Sequence, residues 1–476
     1  MNSIELPYLS GKLKYKSLHK LMSLDWSMLL DSGNQITPST SQKSLRYRRY
    51  DICVTHPTVR LTYKDNKLTV KKNSSTKQLI SQSPLPEMRL ILDHYKKKTN
   101  TQICLNKLPD DLPFNGGWLG YLSYDFGKNK NLESEAQIDD LSVPLIQMGL
   151  YQWAIITDHL KQTTVMYNFG LNQIYWSKQI SIVKSSLKQI ESSTNTPMQL
   201  TTPFKADIKF QQYKKAFNKI QQYIHAGDCY QVNFAQRFTA HYSGDPFDIY
   251  ALLAEENNAP FSAYLNIQDQ KIMSLSPERF IDSHKGQVIT QPIKGTLPRS
   301  KDKHKDKQLA DKLKHSIKDK AENLMIVDLL RNDLSKTAAK GSVKVSELFS
   351  VYQFESVHHL ISTIESTLDS KYDNFDLLET TLPGGSITGA PKIRAMQIIE
   401  ELEKNKRGIY CGVIGYLDFK NNMDTNICIR TLLAKKNKLY CWAGGGLVAD
   451  SKLDPEYQEV FDKLSKILPT LDKLSK

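Results

Sequence analysis

No apolar run in the chain approaches the length of a membrane span, and its first residues, MNSIELPYLSGKLKYKSL, lack the apolar core of a secretion signal. No membrane association is therefore expected, and the cytoplasm is the expected compartment. The six cysteines, at 53, 104, 229, 411, 428 and 441, form no CxxC pair, so neither a zinc knuckle nor a redox dithiol is indicated. Reduced, mostly buried thiols are expected. Zinc-finger, RNA-recognition and KH signatures are also missing. The net charge of +14 comes from lysines spread along the chain. Such a field suits steering of a small anionic substrate better than nucleic-acid binding.

What is present is ordinary globular composition, 40% hydrophobic and 24% charged over 476 residues, enough for one large core or two smaller ones. The Ser/Thr/Pro-rich stretch 190–206 is the best linker, dividing an N-terminal region, 1–190, from a second region, 206–470. In the first region the spacing of Leu24, Met28 and Leu29 predicts a short helix ending at Gly33. The segment Asn115–Gly127, NGGWLGYLSYDFG, interleaves four glycines with aromatics and reads as tight sheet packing. The second region opens with a helix, Phe210–His225, followed by a strand over Tyr230–Phe238. Ser300–Lys307, SKDKHKDK, reads as a solvated, mobile loop, and Leu309–Leu334 as one long helix. A further helix starts near Pro391. Strands are predicted over 412–419, 426–434 and 439–443, and a last helix opens at Asp454-Pro455. Helices and strands mix without βαβ alternation, so the class is α+β.

Several constellations can carry chemistry. Lys294 sits in TQPIKGTLPR, where Pro292 extends the backbone before it and Gly295 permits a turn after it, a setting that aims a lysine into a cleft. Glu278, in SLSPERF, lies sixteen residues earlier, on the expected adjoining strand of one hairpin, and could serve as a general acid. Asp319 and Glu322 are three apart on a helix, as are Glu456 and Glu459; two such faces together would make an all-oxygen site suited to Mg²⁺. For any single pair a solvated helix face is the simpler reading. PGGSITGAPKIR and AGGGLVADS offer exposed backbone N–H groups to anions. Gly384 and Gly389 have P-loop spacing, but Ala390-Pro391 stands where Lys-Ser/Thr is required, which excludes a nucleotide loop. His358 and His359, adjacent in a strand, must point to opposite faces.

Taken together, SLSPERF, PIKGTLPR, DKAENLMIVDLLRNDL, SVHHLIST, PGGSITGAPKIRAMQIIEEL, GIYCGVIGYL, MDTNICIRT and WAGGGLVADS resemble the chorismate-utilising enzymes in order and approximate spacing. The likeness runs from Tyr213 to Leu468 and, more loosely, through LLDSG and PFNGGWLGYLSYDFGK in the first region. It implies a large two-sheet β-sandwich flanked by helices. Within the family, anthranilate synthase large subunits usually carry alanine in PIAGT, and PIKGT is typical of the branch making 4-amino-4-deoxychorismate for p-aminobenzoate and folate. Gln231, in GDCYQVN, matches the members that add ammonia; those that add water carry a lysine there. An anthranilate synthase large subunit is the enzyme alternative, and a basic nucleic-acid-binding protein a remote one.

The resemblance also implies roles. Lys294 attacks chorismate and forms a covalent adduct, and Glu278 protonates the departing hydroxyl. Glu322, Glu456 and Glu459 hold Mg²⁺, with Asp319, where the family has glutamate, supporting the metal. Tyr410 and Arg430 bind the enolpyruvyl carboxylate, and the amides of Gly444, Gly445 and Gly446 take a carboxylate. Thr388 and Gly389 line the pocket, His359 faces the ring, and Lys392 is a further electrostatic contact. Ammonia comes from a separate glutamine amidotransferase subunit, the expected partner. A tryptophan pocket is implied at Leu30, Asp31 and Ser32, where LLDSG departs in its acidic residue from the LLES feedback element of anthranilate synthase.

Overall fold

The computed structural model describes residues 2–33, 47–72, 75–132, 137–188, 198–354 and 357–474. The first region contributes β1 (Ser27–Asp31) and β2 (Gly117–Leu122) to the framework of the site. The second contributes α1 (Phe210–His225), β3 (Gln231–Ser243), β4 (Phe261–Ile267), β5 (Gln270–Ser276) and β6 (Arg279–His284). Then come β7 (Gln287–Thr290), β8 (Ile293–Pro298), α2 (Lys303–His315), α3 (Ile317–Ser335) and β9 (Val357–Thr367). The chain continues through α4 (Lys392–Leu402), β10 (Val413–Asp418), β11 (Met423–Ile427), β12 (Thr431–Lys435), β13 (Lys438–Leu447) and α5 (Leu453–Asp462).

These strands belong to two large antiparallel sheets. One carries the run β1–β4–β5–β12–β13–β3, the other β8–β9–β7–β6–β11–β10–β2. Each sheet therefore takes strands from both sides of the 190–206 stretch, which divides the sequence but not the sheets; its residues 190–197 lie outside the described ones. The largest core lies between the sheets and includes Trp118, Tyr121, Leu265, Phe280 and Ile414. A second core, with Tyr213, Phe217, Phe234, Ile398 and Val460, packs α1, α4 and α5 on the outer face of the first sheet. The result is the expected two-layer sandwich with flanking helices.

The glycine-aromatic segment is core, as its pattern indicated. Trp118, Tyr121 and Tyr124 are fully buried. Gly120 faces Gly415 across the β2–β10 pair, and a β-carbon on Gly120 would lie 2.1 Å from the Gln147 carbonyl oxygen. Gln147 lies on the strand that pairs with the other edge of β2, Ile146–Tyr151, so a side chain at Gly120 would collide with that neighbour's backbone.

Four local expectations are corrected. Leu24–Gly33 holds a strand rather than a helix: Trp26 turns the chain at positive φ, and β1 pairs with β4 from Ser27 to Asp31. A strand buried on both faces shows a continuous apolar run, in which i, i+4 spacing carries no information. The charge run 300–307 is not a loop throughout. Asp302 caps α2 by accepting from the Lys305 amide at 2.8 Å, and Asp306, in its first turn, is buried against Arg299 and His358. The long helix is two, α2 and α3, broken at Ser316, whose hydroxyl caps α3. The predicted strand over 426–434 is likewise two, interrupted at Arg430, which takes positive φ.

Replacing Gly120 with alanine should lower stability by about 2 kcal/mol or more through overpacking between β2 and its neighbours. The guanidinium unfolding midpoint reads this, and an unchanged midpoint would show that the strands can part there without cost.

Candidate active site

Lys294 owes its direction to a bulge. Ile293 pairs with Ile361 and Thr296 with His359, so β8 carries one more residue than β9 over this interval, and Lys294 and Gly295 leave the ladder. Gly295 sits at φ +78°, and a β-carbon there would lie 2.9 Å from both the Asp319 carboxyl carbon and a Leu313 methyl. Backbone sign and space both demand glycine. The half-buried Lys294 ammonium donates to the Ser386 carbonyl at 3.5 Å.

Glu278 immediately precedes β6. The hairpin there is β6–β7, and Lys294 lies on the next strand, which pairs with β9 instead. The two groups come near each other because the chain turns back at Gln291-Pro292, and Lys294, the Ser386 hydroxyl and the Ile293 amide all favour the charged form of the Glu278 carboxyl. Burial pushes the Glu278 carboxyl up to about 7, against the lowering influence of Lys294 and these two donors. Burial likewise lowers Lys294 from its ordinary range, although Glu322, Glu278 and Glu459 oppose this by favouring the charged amine.

The carboxylates form one side of the space. A β-carbon at Gly445 would lie 3.4 Å from Glu456 Oε2, 3.4 Å from Glu459 Oε1 and 3.7 Å from Lys463 Nζ, so all three groups face this glycine. Burial raises Glu322 and Glu456, and neighbouring carboxylates add to it. Glu459 is lowered: burial opposes this, but the Lys463 ammonium at 2.7 Å outweighs it. Lys463 also donates to the Gly444 carbonyl at 2.8 Å. Among the described residues no three metal-binding side chains already converge on one point. The donor set is nonetheless all oxygen, with crowded carboxylates and a lysine ammonium between Glu459 and a backbone carbonyl, which fits a hard dication. Asp319 lies against Gly295, on the same helix as Glu322.

A desolvated cation stands near His359. Arg430 is desolvated, which lowers its pKa, and among the described residues it has no carboxylate partner. Its charge is felt at His359, which burial first and Arg430 second push down to about 3, leaving a neutral ring at neutral pH. His359 Nδ1 bonds the Thr296 hydroxyl at 2.8 Å, whereas His358 bonds Asp306 on the other face. Gln231 is fully buried with neither amide atom hydrogen-bonded among the described residues, and its Nε2 lies 2.6 Å from where a Gly446 β-carbon would be. Gly389 pairs with Val232 beside it, and Thr388 is fully buried with its hydroxyl on the Gly384 carbonyl at 3.0 Å. Tyr410 stacks on Trp442, two residues before Gly444, with ring planes 7° apart.

Two sets of expected residues fall elsewhere. Lys392 donates to the Asp333 carboxylate and, at 3.3 Å, to the Thr381 carbonyl; its charge is spent on a buried ion pair rather than offered to a ligand. Leu30, Asp31 and Ser32 line a separate cavity of about 290 Å³. The side chains of the last two turn away from it: Asp31 accepts from Lys14, Tyr15 and Tyr250, and the Ser32 hydroxyl donates to Asp51. The charged groups lining this cavity are Arg49, Asp111, Arg279, Asp282 and Asp424. Sequence reasoning also missed Lys463, although E456-xx-E459-xxx-K463 is helical spacing on one face, and Ser386, which lay inside a quoted motif without a role.

Comparison with known proteins agrees with the fold. A family model described as chorismate binding enzyme matches residues 44–469. Aminodeoxychorismate synthase component 1 of Salmonella typhimurium is 44% identical over 452 residues, covering 94% of each chain. Its namesake from Escherichia coli is 43% identical over 454 residues, covering 95% of each. The crystal structure of anthranilate synthase component I from Streptococcus pneumoniae superposes with a TM-score of 0.76 at 29% identity, covering 91% of this chain and 94% of that one. The chain belongs to the chorismate binding enzyme family.

Proposed function

We propose that this protein converts chorismate and ammonia to 4-amino-4-deoxychorismate, as the large component of an aminodeoxychorismate synthase. The observation that carries the reading is the pairing of a desolvated Lys294 amine with a Glu278 carboxyl held near neutrality. The uncharged amine attacks ring carbon 2, the double bonds shift, and the carbon–oxygen bond at ring carbon 4 breaks. Glu278 gives its proton to the departing hydroxyl, which leaves as water. Ammonia then attacks ring carbon 4, the double bonds shift back, and the carbon–nitrogen bond to Lys294 breaks, freeing the amine after proton loss. Two allylic displacements thus replace a poor leaving group through a covalent intermediate.

Arg430 and Tyr410 are assigned to the enolpyruvyl carboxylate, and the Gly444–Gly446 backbone and Lys463 to the ring carboxylate. Gln231, an amide that cannot abstract a proton from water, suits addition of ammonia; its free polar atoms are available to orient the incoming nucleophile. Glu322, Glu456 and Glu459, supported by Asp319, would hold Mg²⁺, which when bound neutralises the ring carboxylate. Ammonia is supplied by a glutamine amidotransferase partner, consistent with the "component 1" naming of the relatives. Tryptophan is assigned to the cavity beside Leu30, where its charged ends would meet Arg279, Asp282 and Asp424 rather than the Asp31 and Ser32 side chains. An anthranilate synthase is disfavoured by the lysine of PIKGT.

Incubation with chorismate, Mg²⁺ and ammonium salt should yield a product that becomes p-aminobenzoate only when a lyase is added. Anthranilate with pyruvate release would overturn the assignment. With free ammonia, Lys294→Ala should lose about 100-fold or more of the turnover, and Glu278→Gln about 10²–10⁴-fold. An alanine variant at the parental rate would end the covalent mechanism. Chelation should abolish turnover and added Mg²⁺ restore it, with Glu456→Gln weakening Mg²⁺ binding by calorimetry; undiminished binding would remove Glu456 from the ligand set.

A further inference from the structure

We infer that Arg407 is a positioning residue for the Lys294 amine, holding the turn that accepts from this amine in register with the strands that frame the substrate. The inference deepens the function proposed above and rests on it. Arg407 lies between α4 and β10, one residue before GIYCGVIGYL, and is fully buried.

Its guanidinium joins three pieces of chain. Nε and Nη2 donate to the two Glu403 carboxylate oxygens at 2.9 and 2.6 Å. Nη1 donates to the Ile387 carbonyl at 2.9 Å, and Nη2 to the Asn233 carbonyl at 2.6 Å. Ile387 ends the single turn Gly385–Ile387, and the Ser386 carbonyl in that turn accepts from Lys294 Nζ at 3.5 Å. Asn233 lies on β3 opposite Gly446 of β13, and its Nδ2 donates to the same Ile387 carbonyl at 3.0 Å. The path from the amine to the glycine backbone therefore runs through the turn, Arg407 and Asn233. A guanidinium reaches two carbonyls and a carboxylate from one rigid plane, a geometry that the compact ammonium of a lysine lacks.

The fork is itself held. Glu403 Oε1 accepts from the Ala235 amide at 2.9 Å, and the guanidinium carbon stands 4.6 Å from the Tyr124 ring centre and 5.7 Å from that of Tyr410. The next residue, Gly408, donates its amide to Asp125 at 2.7 Å, so the first region pins this connection too. Loss of Arg407 withdraws a donor from two buried carbonyls and leaves Glu403 charged and buried without its partner. The turn then keeps its Asn233 bond and the pairing of Gly389 with Val232, and loses the link that spans both elements. The substrate carboxylates are assigned to Arg430, Gly444–Gly446 and Tyr410, which keeps its stack on Trp442. Binding therefore survives a shift of the turn, whereas the approach of the amine to the ring does not.

The test is steady-state turnover with free ammonia and Mg²⁺, read separately as kcat and as the KM for chorismate. Arg407→Lys should lower kcat about 10-fold or more and leave KM within about twofold of the parent. A companion variant, Arg407→Met with Glu403→Gln, removes both charges, keeps an acceptor for the Ala235 amide, and should behave alike. In a Lys294→Ala background, Arg407→Lys should lower the residual rate by less than about twofold, because the group it positions is gone. Parental kcat in a folded variant, a KM rise that matches the kcat loss, or losses that multiply in the Lys294→Ala background would each overturn the role of Arg407. The proposed function would still stand. Failure of both variants to accumulate as folded protein would make Arg407 a residue of the fold alone and overturn the positioning role as well. A parent protein that consumes no chorismate would instead overturn the function.

Discussion

An amine and a carboxyl group are withdrawn from water into one space, and the rest of the site follows from that. Burial drives both towards their neutral forms, while their mutual attraction drives both towards charge. The attraction is not small in general: opposite unit charges about 4 Å apart attract by about 4 kcal/mol at an effective dielectric near 20. Burial prevails at both Lys294 and Glu278. The outcome is an amine and an acid each shifted towards its neutral form, the acid up to about 7.

The architecture is arranged to sustain this pairing. Lys294 and Gly295 leave the second sheet at a bulge, and Gly295 gives up its side chain to admit Asp319 and Leu313. Glu278 stands at the start of β6 in the same sheet, while Gly444–Gly446 and Gln231 come from β13 and β3 of the first. Lys294 and Glu278 on the one hand and Gly444–Gly446 and Gln231 on the other therefore belong to different sheets, and the core between the sheets sets their separation. Core packing this dense transmits small shifts, so changes far from Lys294 are felt there.

Much of this was legible in the sequence, and the failures are instructive. PIKGT, SPERF and the paired acidic steps locate the amine, the acid and the carboxylates because each motif depends on a local feature: a bulge, a strand start or a helix face. Lys392 misled because a lysine's charge is visible in sequence and its consumption by Asp333, 59 residues away, is not. Asp31 misled similarly, being saturated by Lys14, Tyr15 and Tyr250 from two helices. The 24–33 segment was misread as a helix because burial on both faces erases the period that separates strand from helix. Asp302 carried a capping signal that the surrounding charges obscured.

The site is also bipolar, and this bears on what can occupy it. Glu322, Glu456 and Glu459 gather negative charge at one end, partly offset by Lys463 and Lys318. At the other end Arg430 is desolvated without a carboxylate partner, and the neutral His359 beside it adds no positive charge. A monoanion would satisfy one end and leave the other uncompensated, a costly state for a buried charge. A molecule with two carboxylates, one read directly by Arg430 and one neutralised among the glutamates by a cation, satisfies both. Selection for a small dianion thus follows from where the charges lie, before any contact with the ring is considered.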